Sequence, residues 1–161
     1  MRTPLAAIVV VAGVIASCSQ SRQGPLILQS PPGWKVEHKR PNSLDAYFLT
    51  TKRPDEGLLM FTLWPPFSVP VDIPELVQKL AEARKASGVA LASEKYQVER
   101  FAGERCQGSY ATFQDTTDGT KAMQVVFIMR VGGRLWSGQF RGRPDLWKQA
   151  LGVVTSIKEN G

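Results

Sequence analysis

The chain has 161 residues and carries 20 lysines and arginines against 14 aspartates and glutamates, a net charge of +6. That length suits one ordinary domain and is too short for two independent cores, and 43% hydrophobic with 21% charged residues excludes an intrinsically disordered chain. No basic run reaches the density of a nucleic-acid patch, so nucleic acid is excluded as a partner; the mild surplus reads either as a solvated surface or as attraction to anionic head groups or an acidic partner.

Met1-Arg2-Thr3 opens the chain, an uncharged stretch runs from Pro4 to Ser17, and Cys18 follows. A positive start before a short apolar stretch is the pattern of a secretory signal, and the stretch falls short of the roughly eighteen apolar residues of a spanning helix. Ile15-Ala16-Ser17-Cys18 resembles the lipobox of bacterial lipoproteins: a branched apolar residue, two small ones, then the acceptor thiol. The resemblance implies that residues 1–17 are cleaved and that the mature chain begins at Cys18 with at least two acyl chains, palmitate among them, enough for stable membrane attachment. The expected location is the cell envelope, facing the periplasm or the outside, and Ser19 is compatible with the outer membrane. Of the two cysteines one then carries lipid, which leaves Cys106 without an intramolecular partner. It reads as a buried small residue on a strand, with an intermolecular disulfide or a reactive thiol as alternatives.

Residues 18–30 read as a lipidated tether, with a coil reach on the order of 20 Å. Within it Leu26-Ile27-Leu28 either docks on the domain as an edge strand or forms an apolar spot near the membrane. The globular domain is expected over 31–161, opening at Pro31-Pro32-Gly33-Trp34. Strand patterns follow at 34–38, 45–51 and 58–64, and Pro65-Pro66 stops the third. Asp72 caps a helix with Pro74 in its first turn and Glu75 completing a capping box; Ile73, Leu76, Val77, Leu80 and Ala83 mark its apolar face.

After Ser87-Gly88 come strands at about 94–101, 104–114, 121–131 and 134–141. Asp118-Gly119 marks a polar loop, and Gly132-Gly133 a two-residue hairpin link with positive φ expected at both positions. That turn pairs Val131 with Arg134, Met129 with Trp136, Phe127 with Gly138 and Val125 with Phe140. It puts Val125, Phe127, Met129, Trp136 and Phe140 on one face and Val126, Ile128 and Leu135 on the other, so both faces are covered. A last helix starts at Pro144 and runs to about Lys158, with Leu146, Trp147, Ala150, Leu151, Val154 and Ile157 as its stripe. The fold class is α+β: a mostly antiparallel sheet of about seven strands flanked by two helices.

Pro-Gly-Trp at the first strand, a mid-chain helix after a proline-rich bend, Gly103-x-x-x-x-Gly108-x-Tyr110 and the Ser156-Ile157 ending resemble the PsbP-like group, which includes DcrB-type envelope lipoproteins. The resemblance covers about residues 31–158. It implies an α/β/α sandwich that serves as a binding or assembly module without catalysis, and no metal site carries over to this chain.

Histidine-based catalytic arrangements have only His38 to draw on, in the charged strand end Lys35-Val36-Glu37-His38-Lys39-Arg40, where a solvated side chain is expected. One histidine and one free cysteine cannot make a structural zinc site, and Asp115 with Asp118 fits a hairpin turn better than a calcium loop. No cofactor and no metal are expected. The leading reading is a non-catalytic, membrane-anchored binding module with an envelope protein as partner. The alternative is a cell-envelope hydrolase with a carboxylate pair, for example Asp55 or Glu56 with another acid. Candidate partner-binding residues are Trp64 and Phe67 in the stiff bend Trp64-Pro65-Pro66-Phe67-Ser68-Val69-Pro70, and Arg134, Arg141 and Arg143, expected with Arg130 to gather near the last hairpin and the loop after it. For the bend the competing reading is core packing, and for the arginines a solvated edge.

Overall fold

The computed structural model describes residues 19–66, 70–86, 97–115 and 122–161. Their strands are β1 (Ser19–Gln23), β2 (Leu26–Ser30), β3 (Lys35–Lys39), β4 (Ala46–Thr50), β5 (Gly57–Leu63), β6 (Val98–Ala102), β7 (Cys106–Asp115), β8 (Ala122–Val131), β9 (Arg134–Gly142) and β10 (Lys158–Glu159). Helix α1 (Ile73–Ala86) lies between β5 and β6, and α2 (Pro144–Ser156) between β9 and β10. An antiparallel sheet in the order β3-β4-β5-β9-β8-β7-β6 forms the middle layer. α1 covers one face, and α2 with the small sheet β1-β2-β10 covers the other, which makes the fold α+β.

The β8–β9 hairpin follows from alternation and its turn. The observed pairs are Val131 with Arg134, Met129 with Trp136, Phe127 with Gly138 and Val125 with Phe140. Val125, Phe127, Met129, Trp136 and Phe140 point into the cluster under α2, and Val126, Ile128 and Leu135 into the one under α1. Only Gly132 of the glycine pair has positive φ, at +57°, so positive φ at both positions is corrected: this is the pattern of a type II′ link, which demands it at the first position alone. The indole N–H of Trp136 is buried without an acceptor among the described residues. Magnitudes explain why it stays inside: an unmet donor costs about 1–3 kcal/mol, whereas burying an aromatic ring of about 200 Å² returns about 5 kcal/mol.

In α1 the Asp72 carboxylate accepts the Glu75 backbone N–H at 3.0 Å, while the Glu75 carboxylate pairs with Lys79 at 2.7 Å. Val77 and Ala81 are fully buried, with Ile73, Leu76 and Leu80 beside them; Ala83 faces solvent, two residues on from Ala81 and so on the far side of the helix. α2 ends at Ser156 rather than Lys158, where the Thr155 and Ser156 hydroxyls bond back to carbonyls one turn earlier and Ile157 turns extended. The chain then pairs with β2 as β10. The Gly103-to-Tyr110 stretch is packing made explicit. A Cβ at Gly103 would overlap the Thr155 carbonyl, and the Tyr110 ring meets Trp147 edge-on at 5.3 Å.

The tether expected over 18–30 is corrected for residues 19–30. They form the β1–β2 hairpin, and Leu26 and Leu28 are each 1% exposed in the main core. The core therefore opens before Pro31. Of the two readings of Leu26-Ile27-Leu28, docking on the domain holds but the edge-strand position is corrected: β2 is the central strand of the small sheet, flanked by β1 and β10.

Candidate functional site

β5 leaves the sheet at Leu63, whose N–H bonds the Asp45 carbonyl, and the next N–H, of Trp64, bonds the Leu135 carbonyl, both at 2.9 Å. Two prolines then forbid further pairing. The Trp64 ring is half-buried against the α1-side cluster, and its indole N–H donates to the Ser137 hydroxyl. Pro65, Pro66 and Pro70 are exposed. Phe67, the other ring proposed for contact, lies outside the described residues, as do Cys18 and Asp118.

Trp64, Pro65, Pro66 and Pro70 border a groove that includes Arg130. By strand alternation this residue shares the α1-side face of β8 with Val126 and Ile128, and it stands between Gln107 of β7 and Leu135 of β9. Two cavities meet at it. One, of about 570 Å³, lies between the start of α1 and β6–β7 and is lined by Arg100, Gln107, Ser109 and Asp72. The other, of about 500 Å³, lies under the bend and is lined by Trp64, Pro65, Arg40, Arg134 and Asp45. Four guanidinium groups thus border the groove against two carboxylates.

Both carboxylates are engaged: Asp72 caps α1, and Asp45 accepts from His38 Nε2 at 2.7 Å with Arg40 Nε at 3.6 Å. The Arg130 Nε–H is buried and has no partner among the described residues. Leaving such a donor unmet costs on the order of 1–3 kcal/mol, more when it belongs to a charged group.

The expected gathering of Arg130, Arg134, Arg141 and Arg143 is corrected. β9 is one continuous strand, so Arg134 and Arg141 are separated by seven residues, about 24 Å at the antiparallel rise. Arg130 and Arg134 border the groove, whereas Arg143 stands at the far end, held by Asp145 through two bonds of 3.0 and 2.8 Å. Arg40 and Arg100 are the residues sequence reading missed. The sign within reach was Arg130 itself, a lone charge at the end of the apolar run Val125 to Met129, in phase with its α1-side residues.

His38 is not the solvated side chain expected. It is 17% exposed, bound to Asp45, tilted 35° against the Tyr47 ring at 4.9 Å and overlain by Gly24 of the β1–β2 turn. Tyr47 accepts the Leu26 N–H at 3.0 Å and donates to the Gln23 carbonyl, and burial pushes its hydroxyl up to about 12. Cys106 is buried, its thiol donates to the Val154 carbonyl at 3.2 Å, and burial pushes its pKa up. It fits the buried-residue reading. Among the described residues no three His, Cys, Asp or Glu side chains converge as a metal site. Asp55 and Glu56 sit on the loop before β5, where Glu56 faces Arg53 at 3.4 Å.

No protein-family model and no curated protein matches the sequence. Among solved structures the chain is similar to a crystal structure from Bacteroides thetaiotaomicron, with a TM-score of 0.53 and 10% identity over 84% of this chain and 45% of that one. This chain spans less than half the length of that protein, and at such identity the likeness shows the fold alone.

Proposed function

We propose that this chain is an exported lipoprotein, anchored through Cys18, whose PsbP-like domain acts as a non-catalytic binding or assembly module in the cell envelope. What supports the anchor is Ile15-Ala16-Ser17-Cys18 placed directly before β1, because a chain that enters a folded strand one residue after its lipid holds its domain against the bilayer. In this arrangement the small sheet lies nearest the membrane and the α1 side faces away.

The observation that carries the binding role is the arginine-bordered groove on that outward side. Among the described residues its two cavities are each lined by a single carboxylate, one bonded at a cap and one in an ion pair, whereas sugar hydrolysis calls for two acids about 5–10 Å apart. The partner is an envelope component with acidic chemistry. The test is fractionation with intact mass: wild type carries lipid on Cys18 and sediments with membranes, and Cys18→Ala is released. An unlipidated, soluble wild-type protein in its own host overturns the anchor. Crosslinking from native membranes at positions beside the groove then names the partner.

A further inference from the structure

We infer that the groove around Arg130 binds a phosphate group carried by a larger molecule. Arg40 follows β3, Arg100 sits in the middle of β6, Arg130 near the end of β8 and Arg134 at the start of β9, and the fold brings them to two cavities that share Arg130. Among the described lining residues two carboxylates, Asp72 at the cap of α1 and Asp45 between His38 and Arg40, offset part of this charge and leave arginine in excess. Arg130 supplies the independent observation: its Nε–H is buried and unmet among the described residues, a donor that the fold itself leaves unsatisfied.

The choice of cation is informative. Among the described residues every cation bordering these cavities is an arginine, the side chain whose planar fork grips oxyanions in pairs of bonds. The two or three forks at either cavity offer more donors than the two oxygens of one carboxylate accept, whereas the three free oxygens of a phosphate monoester suit them. Gln107 beside Arg130 and the buried Ser109 add neutral donors. Cavities of about 570 and 500 Å³ far exceed a bare phosphate, so the group arrives on a soluble phosphate ester or on a lipid head group. This assignment deepens the binding-module reading and rests on it for the source. A domain held to its own bilayer by the small sheet presents the α1 side away from that bilayer's head groups, which favours the soluble ester.

The experiment follows arginine Nε–H resonances of the full-length protein in uncharged detergent micelles, titrated with inorganic phosphate and with glycerol 3-phosphate at constant ionic strength. The Arg130 resonance is expected to shift and saturate while that of Arg143, occupied by Asp145, stays put. Arg130→Gln is expected to weaken affinity tenfold or more, and Arg130→Lys, which keeps charge but loses the fork, several-fold. Arg100→Gln and Arg134→Gln, at exposed positions, serve if the Arg130 variants do not fold, and each is expected to weaken affinity at least threefold.

Uniform, non-saturating shifts of all arginines, or wild-type affinity in Arg130→Gln or in both outer variants, overturn the site. Sedimentation of Cys18→Ala with vesicles containing phosphatidic acid, whose head group is a phosphate monoester, separates the sources: Arg130-dependent capture assigns a lipid head group, and saturable glycerol phosphate binding without capture assigns a soluble ester. If both phosphate arms fail while wild type remains lipidated and crosslinks at the groove, the phosphate assignment falls and the anchored-module reading stands.

Discussion

Met129 lies directly opposite Trp136 across the β8–β9 pair, both side chains at 1% exposure or less on the same face of the sheet. Their register is set by the turn three residues beyond Met129. A one-residue slip would send both, with Phe127 and Phe140, to the other face.

The turn makes the first prediction. Gly132 has φ +57° and lies under the Glu159 carboxylate, whereas Gly133 lacks positive φ and has open space around its missing Cβ. Gly132→Ala is expected to cost about 1–2 kcal/mol, the penalty of a left-handed L-residue, and more if Glu159 cannot move. Gly133→Ala is expected to stay within about 0.5 kcal/mol of wild type. Urea denaturation of the two variants side by side checks this; equal costs would mean that the turn type is misassigned.

The contrast with the N-terminal hairpin shows what makes a fold readable from sequence. β8 and β9 carry strong alternation and a two-residue link, so their partners are neighbours in sequence. β1 is Ser-Gln-Ser-Arg-Gln, polar throughout, and the strand that flanks β2 on its other side is β10, some 130 residues away. Local pattern gives no account of such a pairing. The groove was hidden for the same reason: Arg40 and Arg100 are unremarkable singly, and only the strand order joins them to Arg130. Arg141 and Arg143 looked like neighbours of Arg134 because sequence proximity conceals the length of an extended strand.

A second prediction follows from the corrected tether. Leu28 is fully buried among the α2-side residues, so Leu28→Ala is expected to destabilise by about 2–5 kcal/mol. Gln20→Ala, on exposed β1, is expected to be neutral within about 0.5 kcal/mol. A free tether would tolerate both changes, so equal melting temperatures for both variants and wild type would restore it.

The third concerns Trp64, where packing and recognition compete for one ring. The ring is half-buried and bonded to Ser137, so Trp64→Ala is expected to cost about 2–3 kcal/mol, below the roughly 3–5 of a fully buried ring. Trp64→Phe keeps most of the contact and loses the hydrogen bond, for about 1 kcal/mol. If the bend contacts a partner, Trp64→Phe reduces crosslinking from native membranes while its melting temperature moves by only a few degrees. Unchanged crosslinking removes Trp64 from the partner surface and leaves it a packing residue.

The last prediction is a pH dependence seated on Tyr47 and Tyr110. Burial pushes both hydroxyls from the ordinary value of 10.0 up to about 12, with the neighbouring Glu99 carboxylate adding to the rise for Tyr110. The folded protein therefore keeps two protons that the unfolded chain releases above pH 10. By linkage, stability falls with rising pH wherever the native state holds more protons. These protons contribute fully below pH 10, and their contribution is lost as pH climbs from 10 through about 12. Tyr47→Phe makes the assignment specific. At pH 8 it is expected to be less stable by about 1–3 kcal/mol, because the Leu26 N–H and the Gln23 carbonyl lose their partner. By pH 12 the gap is expected to narrow, since the variant has no proton to surrender at that position. Urea denaturation from pH 8 to 12, with tyrosinate absorbance of the native state followed in parallel, measures both effects. A wild-type stability that stays flat to pH 12, or a native tyrosinate signal that rises fully at pH 10, would show that neither hydroxyl is held as the hairpin and the α2 packing require.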